Sequence, residues 1–250
     1  MARVDNKNYK FKKSFKNSIN KIIDNKWQVL IVVLMVFSLT VFLYLNSFST
    51  LVFNKQYYSN QYEINGVYDR FGVELVDNVT DNLFSYFQDE SLAEWELINE
   101  DFFSERDKMH LIDVKLMIND VLWYHYLVLL AFIIGLLLLF LINKERILHN
   151  LTTVLIGSGV LIVIITLIAL LLQKNFSQIF YNFHIMTFTN DLWMLNPAVD
   201  NLINIYPRSF FFNITKEIFM LSFVKGILLI ITGLFIRYFK KILKFCKRTN

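Results

Sequence analysis

The sequence predicts an all-α membrane protein with four transmembrane helices and an extracytoplasmic cap. The cap is expected to be built from the loop between helices one and two and the loop between helices three and four. Of the 250 residues, 55% are hydrophobic and only 18% are charged, which is less charge than the surface of a soluble domain carries. Long apolar segments and a segregation of basic from acidic residues complete the evidence for this fold class.

Four apolar segments have the length of a membrane-spanning helix, which needs about 20 residues. They are residues 27–45, 121–142, 151–172 and 218–236. Lys225 is the one charged residue within the last segment. We expect its ammonium group to reach the outer interface, with contact to an anionic or carbonyl group as the alternative.

Charge asymmetry orients these helices. Residues 1–26, 143–150 and 237–250 together hold 16 basic and three acidic residues, whereas the rest of the chain holds nine basic and 18 acidic residues. Basic segments beside membrane spans face the cytoplasm, so both termini are expected inside and residues 46–120 and 173–217 outside the cell membrane. Anionic lipid accounts for the basic termini, and no nucleic-acid partner is expected.

The two outer loops contain local structural signals. From Phe53 to Val76, tyrosines and valines alternate with Gly66 and Gly72, which favours short strands or irregular structure. An amphipathic helix is expected from Ser91. Ser104, with an acidic residue three positions later, then predicts the start of a helix that continues into the second span.

The second outer loop predicts a short helix of about nine residues. Asn196 is suited to cap its start, Pro197 to occupy its first position and Asp200 to lie in its first turn, while Pro207 ends it.

Several reaction classes lack their residues in this chain. The one cysteine, Cys246, lies in the predicted cytoplasmic tail, so no disulfide and no external thiol nucleophile are expected. The chain has no Gly-x-Ser-x-Gly motif of a serine hydrolase and no phosphate-binding glycine loop.

Two of the four histidines are candidates for chemistry. His110 and His184 lie in the outer loops beside aromatic residues and acids, whereas His125 is expected at the interface and His149 in solvent. Three alternatives remain open for the pair: hydrogen-bonded structural histidines in a partner-binding cap, proton-transfer catalysts, or zinc ligands. The zinc alternative, a metal-dependent lipid hydrolase, would use His110, Asp113, His184 and Asp200, although no HExxH motif is present.

The arrangement resembles the lipoprotein intramolecular transacylases of low-GC Gram-positive bacteria. The strings MHLIDVK before the second span, and FHIMTFTNDLWMLNPAVDNLI with PRSFFF before the fourth, carry the resemblance. It implies acyl transfer from the sn-2 position of a diacylglyceryl-modified lipoprotein to the α-amine of its N-terminal cysteine, giving the lyso form. His110 and His184 occupy the positions of the family's two catalytic histidines.

The resemblance also implies a set of supporting residues and partners. The supporting or substrate-binding candidates in the matching strings are Asp113, Lys115, Asn190, Trp193, Asn196, Asp200, Phe210 and Phe211. The lipoprotein substrate and membrane phospholipid are the expected partners, without cofactor or metal, and a monomer is expected. Two histidines suit the reaction because the amine must lose a proton and the leaving alkoxide must gain one.

The predicted topology can be tested with a reporter fused after Asn250. Because 16 of 19 charged residues on the assigned inner side are basic, we expect the fused reporter to lie in the cytoplasm and to be active there. A reporter that is active outside the cell would contradict the orientation of all four helices.

Overall fold

The computed structural model describes residues 2–88 and 101–249, and the side chains of residues 26–88 and 101–239. The described residues contain no strand and form nine α-helices: α1 (Ala2–Leu51), α2 (Lys55–Ile64), α3 (Val67–Phe71), α4 (Val73–Gln88), α5 (Glu105–Asn143), α6 (Ile147–Leu172), α7 (Phe176–Thr187), α8 (Leu202–Ile205) and α9 (Arg208–Thr249). Short 3₁₀ turns separate α5 from α6 and α6 from α7. The all-helical fold class is therefore confirmed for these residues.

Each of the four predicted apolar segments lies within a long helix, namely α1, α5, α6 or α9. Among the described residues, three stretches are long and apolar enough to cross a membrane: Lys26–Leu51, Glu105–Thr187 and Arg208–Phe239. The second stretch contains both α5 and α6. The prediction that the helix after Ser104 continues into the second span is confirmed by α5, whereas the number of crossings stays a prediction.

The chain divides into two compact units. The first unit comprises the chain up to Val41, Leu127–Ile162 and the chain from Lys225 onward. The second unit comprises Phe42–Tyr126 and Val163–Val224. Both histidines of interest belong to the second unit.

Glycines allow close helix packing in the first unit. A Cβ atom on Gly159 of α6 would lie 2.5 Å from the main-chain oxygen of Gly226 in α9 and 2.6 Å from Ile230 Cγ1. Small residues let helix backbones approach in this way, which is how helices associate in lipid. The packing of α6 against α9 therefore depends on Gly159.

The surface of the first unit is covered by large apolar side chains. Exposed examples are Val33, Phe37, Leu137, Leu141, Leu228 and Phe235. An apolar surface of this extent is unfavourable in water but ordinary in a bilayer, where the surrounding hydrocarbon is equally apolar.

The second unit has an aromatic core. Tyr58 and Tyr62 of α2 are buried against Phe84 of α4 and Phe210 of α9, with ring centroids between 4.8 and 6.4 Å apart. The Tyr62 hydroxyl also donates to the Tyr206 hydroxyl over 2.9 Å. The core thus satisfies a polar atom that burial alone would leave unpaired.

The expectation of strands after the first span is wrong, because the region from Lys55 to Gln88 forms α2, α3 and α4. Buried residues recur at helical spacing, as in Val76, Val79 and Leu83 of α4. Gly66 and Gly72 have positive φ angles of 65° and 83° and lie between successive helices, so the turn residues were identified but not the elements that they join. The amphipathic helix expected from Ser91 falls mostly outside the described residues.

The nine-residue helix expected after Asn196 is also wrong, since α8 has only four residues, Leu202–Ile205. Asn196 caps a turn, accepting from the Ala198 N–H over 3.1 Å, and its own N–H donates to the Asp200 carboxylate over 2.6 Å. These bonds hold residues 196–200 in a non-helical turn, and regular helix begins only at Leu202.

The close packing of α6 and α9 predicts a selective effect of alanine substitution. Gly159→Ala should destabilise the protein by about 1–3 kcal/mol, because the added methyl group meets main-chain atoms that cannot rotate away. The measurement is the melting temperature of the purified protein in detergent.

Gly135→Ala is the matched control. The three atoms nearest to its Cβ atom all belong to the side chain of Met35, with Cγ at 2.6 Å, and a methionine side chain can adjust. Equal melting temperatures for the two variants would contradict the close packing of α6 against α9.

Candidate active site

His110 of α5 and His184 of α7 lie side by side in the second unit. Their ring centroids are 6.2 Å apart and their ring planes are inclined by 36°. Both residues are buried, with exposed fractions of 6% and 8%. The two rings can therefore contact the same small group of a substrate.

A reciprocal cap positions His110 near the start of α5. Ser104 Oγ accepts from the Asp107 N–H over 3.0 Å, and Asp107 Oδ2 accepts from the Ser104 N–H over 3.1 Å. This is the helix start that the sequence predicts. His110 follows Asp107 by three residues, so the cap fixes where on α5 the imidazole emerges.

One hydrogen bond determines how the His184 ring is oriented. Its Nδ1 lies 2.7 Å from the carbonyl oxygen of Phe180, one turn earlier in α7. A carbonyl can only accept, so Nδ1 carries the proton and Nε2 is the basic nitrogen of the neutral ring. The rings of Phe180 and Trp193 enclose the imidazole, with centroids at 4.4 and 4.8 Å.

Residues 188–194, here called the covering loop, lie over both imidazoles. The Phe188 ring is 5.2 Å from the His110 ring and 5.7 Å from the His184 ring. Trp193, whose ring packs against His184, donates its indole N–H to the Asn190 carbonyl over 3.0 Å. The covering loop therefore encloses the pair of histidines with aromatic rings.

Two residue pairs attach the covering loop to α5 by polar contacts. Asn190 Nδ2 donates to Asp113 Oδ2 over 2.9 Å. The Arg106 guanidinium donates to the Asp191 carbonyl and forms an ion pair with its carboxylate, at an N–O distance of 3.2 Å. Arg106, His110 and Asp113 recur at helical spacing on α5, so the contacts flank the histidine.

Burial keeps both imidazoles neutral at physiological pH. Desolvation, followed by repulsion from His184 and opposed by Asp113, lowers the pKa of His110 to about 4, and Arg106 adds a further lowering effect. Desolvation also lowers the pKa of His184, although its hydrogen bond to Phe180 acts in the opposite direction. Neutral imidazoles can accept protons, which is what a general base requires.

Four of the predicted supporting residues lie at or next to the histidines. Asp113, Asn190 and Trp193 form the contacts described above, and the Phe211 ring packs on Phe180 at 5.1 Å. Phe211 is thus one ring removed from His184.

The other four predicted supporting residues make their contacts elsewhere in the second unit. Lys115 lies over the Tyr86 ring at 4.3 Å, and Phe210 belongs to the aromatic core. Asp200 accepts from the Ser104 hydroxyl over 2.6 Å and from the Asn196 N–H. These contacts are of the kind that hold segments of a fold together.

The zinc alternative is not supported by the positions of its residues. Within residues 26–88 and 101–239, whose side chains are described, no group of three or more His, Cys, Asp or Glu side chains is arranged to bind a metal ion. Asp113 and Asp200 instead bind Asn190 and Ser104, respectively. The four proposed ligands do not form one coordination shell.

Sequence reasoning missed Arg106, Phe180 and Phe188 as site residues. Arg106 and Phe180 each precede a candidate histidine by four residues, and residues at this spacing are neighbours on a helix. That periodicity could have identified both. No comparable signal singles out Phe188, which follows the end of α7.

Comparison with known families supports one assignment. A model of the family described as lipoprotein intramolecular transacylase Lit matches residues 31–211, which is most of the chain and includes both histidines. A curated relative is an uncharacterized protein of Aquifex aeolicus, 30% identical over 140 residues. This match covers 56% of the present chain and 60% of the relative, so the chain spans less than two thirds of that protein's length.

Solved structures share the fold. The membrane integral lipoprotein intramolecular transacylase Lit from Bacillus cereus, determined in meso, superimposes with a TM-score of 0.74 at 20% identity, covering 87% of this chain and 99% of that one. A variant of the same protein with a histidine replaced by arginine gives a TM-score of 0.74 at 19% identity, covering 90% and 99%. On the family match over most of its length, the chain belongs to the lipoprotein intramolecular transacylase family.

Proposed function

We propose that the protein moves an acyl group within one diacylglyceryl-modified lipoprotein. The acyl group leaves the sn-2 oxygen of the glyceryl moiety and joins the α-amine of the N-terminal cysteine, giving the lyso form. The observation that carries this proposal is the pair of buried imidazoles, His110 and His184, with ring centroids 6.2 Å apart. A non-catalytic cap would not require two histidines at this separation.

His184 acts as the general base in this proposal. The contact between Nδ1 and the Phe180 carbonyl leaves Nε2 as the proton acceptor. The same contact favours the protonated ring, so the imidazolium formed during the reaction is stabilised. His184 therefore removes the proton that the amine loses on attacking the ester.

His110 acts as the general acid. Burial and the neighbouring His184 hold its pKa at about 4, so the ring is neutral at rest and binds only weakly a proton that it receives from the His184 imidazolium. A weakly held proton transfers readily to the glyceryl alkoxide as the ester bond breaks. Two histidines with different environments thus divide the two proton transfers.

Enclosure of the site favours transfer over hydrolysis. Phe180, Phe188 and Trp193 surround the histidines and leave little room for water, which would otherwise compete with the amine. The nucleophile and the ester belong to one molecule, and holding them together supplies several kcal/mol of the barrier reduction.

The remaining polar residues hold the site together. Asp113 and Asn190 attach the covering loop to α5, and Trp193 fixes the face of His184. Lys115, Asn196, Asp200 and Phe210 act through the surrounding fold. We further propose that the protein works as a monomer in contact with phospholipid, with residues 46–120 and 173–217 outside the cell and both termini inside.

Replacing either catalytic histidine should abolish the activity without unfolding the protein. His110→Ala and His184→Ala should each lower lyso-lipoprotein formation by about 10²–10⁴-fold, the usual contribution of a positioned proton donor or acceptor. Removing a buried ring leaves a cavity and should cost about 2–5 kcal/mol of stability. The measurement is mass spectrometry of lipoprotein N-termini in a strain that makes only the diacyl form, together with membrane abundance.

His149→Ala and His125→Ala are the controls. His149 is exposed, and His125 stacks on Phe42 with ring centroids 4.8 Å apart, so both variants should retain most activity. A double variant lacking His110 and His184 should be scarcely worse than either single variant, because the two act as one unit. Near-normal turnover in either single variant would sink the two-histidine mechanism.

Buried neutral histidines also predict acid lability. The folded-state pKa of His110 lies at about 4, below its ordinary value of 6.5, so between these values the unfolded chain binds more protons than the folded one. The contribution of His110 to the free energy of unfolding is fully present above pH 6.5 and is lost as the pH falls toward 4. The melting temperature in detergent should decline from pH 6.5 to 5, and His110→Gln should decline less steeply over that interval. Parallel profiles would contradict a buried neutral His110.

A further inference from the structure

We infer that Arg106 stabilises the oxyanion of the tetrahedral intermediate, through its Nε–H group and the charge of its guanidinium. This role rests on the proposed acyl transfer and adds a third catalytic residue to the two histidines. The reaction requires such a group, because attack on an ester carbonyl places negative charge on oxygen before the leaving group departs.

Arg106 lies beside His110 on α5. It precedes the histidine by four residues, and residues at this spacing are neighbours on one face of a helix. The distal end of its guanidinium binds Asp191 of the covering loop. The Phe188 ring of the same loop contacts both imidazoles. The arginine is therefore bound at both ends to elements that form the site.

The inner part of the guanidinium has an unused donor. Arg106 Nε is buried and has no hydrogen-bond acceptor among the described residues, whereas a terminal nitrogen is bonded to Asp191. A buried donor without an acceptor is costly and uncommon in a native fold. A carbonyl oxygen that becomes negatively charged beside His110 would supply the acceptor.

The positive charge of Arg106 acts electrostatically on the His110 ring. Charged and titratable groups facing the His110 ring are His184 from α7 and Asp113 and Arg106 from α5 itself, and the effect of Arg106 is to disfavour the imidazolium. A cation close enough to disfavour a positive ring is close enough to favour a negative oxygen bound at that ring.

The step balances without a further reactant. The amine nitrogen bonds to the carbonyl carbon, the π electrons move to the carbonyl oxygen, and His184 takes a proton from nitrogen. The carbonyl re-forms as the bond to the glyceryl oxygen breaks, and that oxygen takes a proton from His110. His110 receives this proton from the His184 imidazolium within the same turnover, so both imidazoles are neutral before and after the reaction, and Arg106 neither gains nor loses a proton.

The test compares kcat and KM of the purified full chain acting on a synthetic diacylglyceryl lipopeptide. Arg106→Gln should lower kcat by about 10²–10³-fold, as loss of one oxyanion donor does, with KM changed by no more than about threefold because the ground-state ester carries no charge to bind. Arg106→Lys keeps the charge without the planar Nε–H group and should lose less.

Asp191→Asn separates this role from attachment of the covering loop. It removes the ion pair but keeps Arg106 and the main-chain acceptor, so kcat should stay within about fivefold of wild type under the proposed role. Added guanidinium ion should partly restore kcat in Arg106→Ala and leave Asp191→Asn unchanged. The acid limb of the pH–rate profile should also move to higher pH in Arg106→Gln, because the imidazolium of His110 is no longer disfavoured.

The contrary outcome is equally specific. Equal losses in Arg106→Gln and Asp191→Asn, or a loss confined to KM, would assign Arg106 to loop attachment and overturn the inference while leaving the acyl transfer intact. Arg70→Gln is a matched control, since Arg70 also links two segments, through Asn204, and should retain wild-type kcat. A wild-type protein unable to convert the lipopeptide would contradict the proposed function itself, and the role of Arg106 with it.

Discussion

The geometry of the site depends on a buried carboxylate, that of Asp107. This residue has an exposed fraction of 0%, and its Oδ2 accepts from the N–H groups of Ser104, Asn201 and Leu202 over 3.1, 2.9 and 3.3 Å. Burying a carboxylate is unfavourable unless such donors compensate. Desolvation raises the pKa of Asp107, so the bonds offset the burial only in part. As a result, the start of α5 is joined to the start of α8, which follows the covering loop and the turn at residues 196–200.

From this junction the rest of the site follows. With α5 held at Asp107, His110 emerges one turn later, and Arg106 and Asp113 flank it. These two residues bind Asp191 and Asn190 of the covering loop, which places Phe188 over the histidines. An apolar enclosure lowers the pKa of each imidazole by desolvation, and it strengthens electrostatic interactions within the site. In the proposed mechanism, burial serves both proton transfer and charge stabilisation.

His110 and His184 could be selected as candidates from the sequence because their flanking strings are specific and because few polar residues interrupt so apolar a chain. Long helices were predictable from apolar length alone. The region from Lys55 to Gln88 was not, since tyrosine and valine favour strands by propensity while packing of Tyr58, Tyr62 and Val76 at helical spacing decided otherwise. Asp107 was identified only as a helix-capping residue, because its bonds to Asn201 and Leu202 join positions more than 90 residues apart. Such long-range pairing leaves no local pattern to read.

The central claim is that the acyl group moves within one molecule, and a crossover measurement on the purified protein tests it most directly. Two diacylglyceryl lipopeptides are mixed, one with deuterated acyl chains and a distinguishable peptide, and the products are analysed by tandem mass spectrometry. The account predicts products with the intact mass of each substrate, since transfer is an isomerisation, and with each acyl chain found on the α-amine of its own peptide. Products lighter by one acyl chain, or chains exchanged between the two peptides, would contradict it.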